Sequence, residues 1–200
     1  LDSFAAYTTN YKYTFKNNTA GVLGIDTIIS MQKGLNAAIS DENSTTKSYS
    51  LADERNVFGD LGELKGGENA TLTINGNGKI LSGFKEDGTS SYTGMSSTAT
   101  QKVTVENASS VEGFSSENGG FIKSSGELNI RNTSFKNNTA ATAGGAVWSE
   151  GIVNVSADAG KISEFSGNTA NNLSNAVYMA SADSVLNLSA NDGTITFNDG

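Results

Sequence analysis

Cysteine, histidine and proline are all missing from this 200-residue chain. Without cysteine or histidine there is no disulfide, no thiolate or imidazole metal site, and no catalytic dyad or triad built on either residue. The lack of proline suits a backbone whose N–H groups are nearly all used in strand ladders. No apolar run approaches the length of about 18 residues that a membrane-spanning helix needs.

Basic residues are also few. The chain has 13 Lys and Arg against 21 Asp and Glu, which gives a formal net charge of −8. This balance argues against nucleic acid and anionic membrane surfaces as partners.

A repeated unit of three parts occupies most of the chain. One part is an apolar-polar-apolar triplet, and the triplet starts lie 25 to 33 residues apart: Leu72-Thr73-Ile74, Val103-Thr104-Val105, Leu128-Asn129-Ile130, Val153-Asn154-Val155 and Leu186-Asn187-Leu188. The other parts are a Gly-Gly-apolar segment, clearest over 144–147, and a Phe followed by polar residues, clearest over 135–139. A constant order with variable spacing is typical of solenoids whose turns accept insertions.

The alternation within each triplet indicates a strand with one buried face. We therefore predict an all-β fold, a right-handed parallel β-helix in which each turn of the solenoid contains three short strands, over residues 67–200. A hydrophobic content of 36% is low for a globular core but sufficient for a narrow solenoid core. Residues 1–66 are predicted to form an N-terminal cap of mixed strand and short helix, because the first strand edge needs cover.

Four segments make up the predicted cap. Residues 15–20 copy the later Phe segment and would be an early copy of the unit. A helical stripe runs over 25–39, with a break at Gly34. Residues 41–49 are polar and predict a loop, and residues 51–64 predict either one more helical turn or an irregular segment.

The core is predicted to contain one column of phenylalanine rings: Phe84, Phe114, Phe135, Phe165 and Phe197. Asn follows a Phe by three places at Asn18, Asn138 and Asn168. Asn tolerates left-handed turns and bonds to its own kind in columns, so these residues predict a ladder at a corner. Asp87 and Glu117 occupy the same offset in earlier copies.

Trp148 is the first candidate for a binding contact. It follows Val147 in an alternating segment, so if Val147 points inward Trp148 points outward. An exposed aromatic on a polar surface suits a binding role, and packing on a turn or on Tyr178 explains it equally well.

The polar members of the triplets are further candidates. Asn129, Asn154 and Asn187 would face outward in a row of donors and acceptors that a glycan could use, although simple solvation accounts for them too. Residues 87–100 are predicted to protrude as a loop, which makes Tyr92 another binding candidate.

Two motifs alternate along the chain, Phe-x-x-Asn and Gly-Gly-Ala-Val, and their residues are Phe15, Asn18, Phe135, Asn138, Gly144, Gly145, Ala146, Val147, Phe165 and Asn168. Their combination resembles the repeats of the chlamydia-type polymorphic outer-membrane proteins, which are autotransporters. Two departures are the missing Asn after Phe114 and Phe121 in the place where Ala is usual. Since strand alternation puts the Phe and Val side chains inside, we expect a mainly structural role for these motifs.

The resemblance implies a secreted β-helical passenger that a C-terminal membrane barrel carries to the bacterial cell surface. It implies an adhesin in the outer membrane whose partner is a host cell-surface receptor or glycan. The chain starts at Leu1 without a signal and stops at Gly200 just after a repeat strand, so we expect a piece of a longer protein. Membrane contact would come only through a barrel outside these 200 residues, and no cofactor or metal is expected.

Two other functions stay open. β-Helices also host polysaccharide lyases, which need a base with cationic or metal support, and hydrolases, which need two carboxylates about 5–9.5 Å apart. Glu106 and Glu127 are acids of neighbouring copies, but one follows its triplet and the other precedes it, so we expect different columns and no enzyme activity. The third function is a scaffold that self-associates through its exposed edges or Asn columns.

Overall fold

The computed structural model describes residues 34–52, 55–57 and 59–199. The predicted early copy of the unit at Phe15 and Asn18, and the helical stripe before Gly34, lie outside these residues. Within the described part of the chain, one helix, α1 (Gly34–Ser40), precedes 21 short strands. The strands are β1 (Thr46–Ser50), β2 (Arg55–Asn56), β3 (Gly62–Glu63), β4 (Thr71–Asn75), β5 (Ile80–Ser82), β6 (Met95–Ser97), β7 (Lys102–Glu106), β8 (Ser110–Glu112), β9 (Ser115–Asn118), β10 (Ile122–Ser124), β11 (Glu127–Arg131), β12 (Phe135–Lys136), β13 (Thr139–Ala143), β14 (Val147–Ser149), β15 (Ile152–Ala157), β16 (Ile162–Ser166), β17 (Thr169–Ala170), β18 (Leu173–Ser174), β19 (Val177–Met179), β20 (Val185–Ala190) and β21 (Thr194–Asn198).

Most strands belong to three parallel sheets. The chain contributes strands to sheets 1, 2 and 3 in the same order each time, and we call one such round a pass. Sheet 1 contains the triplets, in the order β1-β4-β7-β11-β15-β20; sheet 2 has the order β2-β5-β8-β12-β16-β21, and sheet 3 the order β19-β14-β10-β6-β3. A smaller sheet 4, β18-β17-β13-β9, falls between sheets 2 and 3 along the chain. Its β17–β18 pair is antiparallel. The chain is therefore nearly all-β with parallel sheets, an arrangement compatible with a parallel β-helix or solenoid.

The five triplets lie in register in sheet 1, as predicted. The first apolar position of each triplet pairs with that of the next, from Leu72 to Leu186. In the first four triplets both apolar side chains are at most 1% exposed. Parallel pairing puts equivalent side chains about 4.8 Å apart, so each aliphatic group packs on its counterpart. Burial of each contributes about 1.5–3 kcal/mol.

The single phenylalanine column is wrong for Phe84 and Phe114. In sheet 2 the residue that aligns with Phe135 is Val111, and Val111 aligns in turn with Leu81. Phe84 and Phe114 follow these aliphatic residues by three positions. An alignment based on residue type joins two different columns here, because a Phe occurs in both.

Three phenylalanines do share one column. Phe135, Phe165 and Phe197 pair in register, and their rings are stacked with centroids 5.3 and 4.8 Å apart. Phe121 connects Phe114 to this stack, since its ring centroid lies 5.2 Å from that of Phe114 and 5.7 Å from that of Phe135. The core is continuous, but through a different set of rings from the predicted one.

The size of the inward side chains is balanced within each pass of the chain. Three equivalent inward positions hold Val111, Phe114 and Phe121 in one pass and Phe135, Asn138 and Ala146 in the next. A larger residue in sheet 2 is thus accompanied by smaller residues at the other two positions. Close-packed interiors penalise both voids and overfilling, which explains why the exchanges occur together.

The parallel sheets begin before residue 67. The loop predicted over residues 41–49 is wrong from Thr46 onward, because β1 is there, and residues 51–64 contain β2 and β3 rather than a helical turn. Strand β1 lacks the apolar alternation of the later strands, because Lys47 occupies the inward position that pairs with Leu72. Its Nζ donates to the carbonyls of Asp41 and Lys65, at 2.5 Å each, and burial lowers the pKa of this ammonium group.

Helix α1 covers the first strands. Leu35 and Ile39 are buried, and the helix packs against β1 and β3. The apolar face of the helix thus lies over strands at the start of sheets 1 and 3. The division of the chain between residues 66 and 67 remains a prediction.

The loop predicted over residues 87–100 is shorter than expected. Phe84 bridges Ser91 in an antiparallel pair, and the Asp87 carboxylate accepts hydrogen bonds from the backbone N–H groups of Thr89 and Ser90 at 2.8 Å each. The Ser90 hydroxyl also donates to Asp87, and together these bonds lower the pKa of that carboxyl group. The loop between Phe84 and Ser91 is therefore compact, and β6 follows it in sheet 3.

Inward positions become exposed in the last pass of the chain. Leu186, Leu188 and Phe197 are 38%, 53% and 43% exposed, whereas their counterparts one pass earlier are buried. Strands β20 and β21 form the edges of sheets 1 and 2. No described residue packs on these side chains on the far side of β20 and β21, away from β15 and β16.

The stacked rings provide a test of this core. We expect Phe165→Ala to lower the free energy of unfolding by about 3–5 kcal/mol, because the ring is fully buried between two others. Phe197→Ala should cost clearly less, because that ring is 43% exposed. Urea unfolding of the two variants measures the difference. Equal losses would contradict the assignment of Phe197 to the open end of the column.

Candidate binding surface

One outward column of sheet 3 contains the residues best suited to contact a ligand. In β6, β10 and β14 the middle residue points away from the core, because the residues on either side of it are buried. In register along the sheet, this stripe consists of Glu63, Ser96, Lys123, Trp148 and Tyr178. We refer to these five residues as the sheet 3 stripe.

Trp148 has the predicted outward orientation. Its neighbour Val147 is fully buried, whereas the indole is half-buried and Tyr178, the next residue of the stripe, is 42% exposed. The ammonium group of Lys123 lies 4.7 Å from the centre of the indole ring, a cation–π contact. The sequence left two explanations for Trp148, a binding contact and packing on a turn or on Tyr178. Trp148 and Tyr178 pair in register, so this geometry is compatible with either explanation.

Sequence reasoning missed Lys123. It follows Phe121-Ile122 just as Trp148 follows Ala146-Val147, so aligning the Gly-Gly segments would have placed it below the indole.

A cleft lies beside the part of the stripe that contains Glu63, Ser96 and Lys123. It has a volume of about 320 Å³, and its lining includes Glu63, Ser96, Ser116, Glu117, Asn118 and Lys123. Gly94 also lines it, and a Cβ atom there would collide with the backbone carbonyl of Phe121. The cleft therefore depends on a close approach of two backbone segments that only glycine permits. Lys123 connects the cleft to the aromatic half of the stripe.

The Asn row of sheet 1 also faces outward, as predicted. The Asn154 side-chain amide donates to Asn129 Oδ1 and the Asn187 amide donates to Asn154 Oδ1, both at 2.8 Å. Each amide therefore uses part of its hydrogen-bonding capacity within the row. This arrangement favours a structural ladder and leaves fewer groups for a glycan.

Charged pairs flank this Asn row. Lys102 contacts Glu127 at 2.8 Å, and Arg131 contacts Glu106 at 3.6 Å and Asp158 at 2.6 Å. The hydrogen bond from Lys102, with a second from the Asn129 amide, lowers the pKa of the Glu127 carboxyl group.

The two acids considered above for glycoside hydrolysis, Glu106 and Glu127, are both paired with cations. Glu127 pairs in register with Lys102 and Glu106 with Arg131, so the acids occupy different columns, as predicted. The general acid of a carboxylate pair needs a raised pKa, whereas that of Glu127 is lowered. The pairing therefore favours a structural role for both carboxylates.

The second Asn ladder is buried. The backbone N–H and side-chain amide of Asn138 both donate to Asn168 Oδ1, at 3.2 and 3.0 Å, and Asn168 makes the same two bonds to Asp199 Oδ1. Asn138 and Asn168 are 0% exposed. The other oxygen of Asp199 is buried without a hydrogen-bond partner among the described residues. This ladder holds successive passes together inside the fold.

The structure does not place the motif residues at the surface. Every described member, from Phe135 to Asn168, is buried. Asp87 and Glu117 are not in the buried ladder, because the residues that align with Asn138 in earlier passes are Phe84 and Phe114. The motifs shape the interior of the fold.

Tyr92 lies outside the sheet 3 stripe. It follows the compact loop between Phe84 and Ser91 and packs partly against the core. The Lys85 ammonium group lies 5.0 Å from the centre of its ring. Lys85 and Tyr92 therefore form a second cation–π contact, away from the sheet 3 stripe.

No family model, curated protein or solved structure matches the chain. Residues 34–52, 55–57 and 59–199 contain no group of three or more acidic side chains placed to hold a metal ion. No helix among them is long and apolar enough to cross a membrane.

The two Asn ladders predict different costs of substitution. Asn138→Ala should lower the free energy of unfolding by about 1–3 kcal/mol for each buried group left unpaired, because the amide also donates to the Val111 carbonyl at 2.9 Å. Asn187→Ala, in the outward ladder, should change it by less than about 0.5 kcal/mol. Thermal and urea unfolding compare the two variants. A larger cost at Asn187 would reverse the structural roles given to the ladders.

Proposed function

We propose that the chain forms part of a right-handed parallel β-helix with three strands in each turn, displayed as an adhesin on a bacterial cell surface. The proposal includes the passenger region of an autotransporter of the polymorphic outer-membrane protein type, and a host cell-surface protein or glycan as partner. The observation that carries it is the sheet 3 stripe, where an outward Lys, Trp and Tyr follow one another in register on a stack of parallel strands.

The stack supports attachment through its stiffness. Each pass of the chain is tied to the next by parallel ladders and buried aliphatic columns, so the surface residues of successive passes keep fixed spacings of about 4.8 Å. Weak contacts at several such positions add, because each contact raises the effective concentration for the next. The buried motifs contribute by building this surface.

Composition supports a surface role of this kind. A chain without cysteine keeps no thiol to be oxidised on the way out of a cell. Its net charge of −8 favours solubility and disfavours adsorption to anionic polymers. Attachment would then depend on specific contacts more than on general electrostatic attraction.

A bead assay tests the proposal. Fluorescent beads coated with the folded chain should attach to cultured epithelial cells more than beads coated with an unrelated acidic protein. Soluble chain should compete, and beads coated with Phe165→Ala, whose core is weakened, should attach less after mild warming. Attachment no greater than that of the control beads would refute adhesion.

Self-association of these 200 residues is a second candidate, favoured by the exposed apolar side chains of β20 and β21. Leu186, Leu188 and Phe197 form an apolar end beside the outer edges of β20 and β21, which pair with no further strand in the described part of the chain. Exposed strand edges with apolar side chains promote pairing between molecules.

Light scattering tests this candidate. The scattering mass should rise with protein concentration and persist in high salt, because apolar contact is not screened. Leu188→Lys should reduce it, whereas Ile152→Lys, which changes a 43% exposed aliphatic residue on the outward face, should not. A monomer at all concentrations would exclude self-association of these 200 residues.

A further inference from the structure

We infer that the sheet 3 stripe and the adjoining cleft bind a neutral oligosaccharide, which rests on the proposed adhesin function and names its ligand class. Trp148 and Tyr178 are neighbours in register on β14 and β19, so both rings are presented on the same side of one sheet. Parallel strands put their Cα atoms about 4.8 Å apart. Two outward aromatic residues at this spacing form a platform that is apolar on its faces and polar at its edges.

Sugars have the complementary chemistry. A pyranose ring presents C–H groups on its faces and hydroxyl groups around its edge, so it stacks on an aromatic ring while its edge hydrogen-bonds to neighbouring polar groups. Sites for small ligands commonly combine aromatic surface with a few well-placed polar groups. The platform supplies the first requirement.

The cleft supplies the second requirement. Glu117 and Asn118 line it together with Lys123, and these side chains offer carboxylate, amide and ammonium groups. Glu117 accepts a bond from the Thr142 hydroxyl through one oxygen, at 2.6 Å. Lys123 both lines the cleft and lies over the indole, so the cleft and the aromatic pair adjoin each other along the stripe.

Charge selects a neutral ligand. Glu63 and Glu117 both line the cleft, and Lys123 is the one cation among the described residues that line it. Lys65 pairs with Glu63 at 2.8 Å, so their charges offset each other, and Glu117 and Lys123 remain as one acid and one cation of the lining. The lining therefore offers no net positive charge to an anionic glycan, which the protein's net charge of −8 penalises. Uncharged hydroxyl groups accept and donate without this penalty.

The chain offers a direct probe of the site, because Trp148 is its only tryptophan. Titration of the folded chain with neutral oligosaccharides, linear glucans, galactans and mannans of several lengths, should give a saturable change in tryptophan fluorescence for at least one of them. Sulfated oligosaccharides of the same lengths should bind more weakly.

Variants separate stacking from adventitious quenching. Tyr178→Ala should weaken binding about tenfold, because one stacked ring is lost. Glu117→Gln should weaken the neutral ligand less and reduce the discrimination against sulfated ones. Lys85→Ala is the matched control, since it removes a lysine lying over a different aromatic ring, Tyr92, and should leave binding unchanged. Circular dichroism checks that each variant keeps its strand content.

Three results would overturn the inference: no saturable change with any neutral oligosaccharide, tighter binding of sulfated ones, or no effect of Tyr178→Ala. The bead assay distinguishes this from failure of the proposed function. Beads that attach to cells while every neutral oligosaccharide fails point to adhesion through another ligand. Saturable oligosaccharide binding with beads that do not attach supports the site and refutes adhesion.

Discussion

Parallel in-register pairing between successive passes of the chain is the constraint on which the other features depend. Pairing of this kind puts each residue directly beside its equivalent in the next pass, so a single residue type repeated at one position becomes a continuous column. The aliphatic columns of sheet 1 arise in this way, with side chains at most 1% exposed through four triplets. The same register also produces the outward Asn row and the sheet 3 stripe. Interior and surface are consequently two faces of one repeat.

The columns need not be uniform, because the core is filled within each pass as well as between passes. Where Val111 stands in the column of Phe135, the rings of Phe114 and Phe121 occupy the remaining space. Where Phe135 stands there, Asn138 and Ala146 are the smaller partners. A buried amide then becomes possible, and it extends into the ladder through Asn168 to Asp199. The change in packing is thus what makes room for the buried polar ladder.

The outward columns differ in how much of their capacity is already used. In sheet 1 the Asn amides bond to one another and the neighbouring acids are paired with Lys102 and Arg131. In sheet 3 the indole of Trp148 and the ring of Tyr178 remain partly exposed beside a polar cleft. A surface whose polar groups are satisfied internally has less to offer a ligand. This contrast moves the binding candidate from the Asn row to the aromatic stripe.

The amino-acid sequence by itself determined the strand character, the order of the three parts and the register of the triplets, because alternation and repetition are local properties. It also determined that Trp148 lies opposite Val147. Tertiary structure alone decided which phenylalanines share a column, since that depends on how much space each pass leaves for the others. It also decided that Lys47 begins an inward column, through backbone carbonyls that bind its ammonium group, and that Lys123 lies over Trp148. Such contacts join residues far apart in the chain, and local pattern carries no information on which of them will meet.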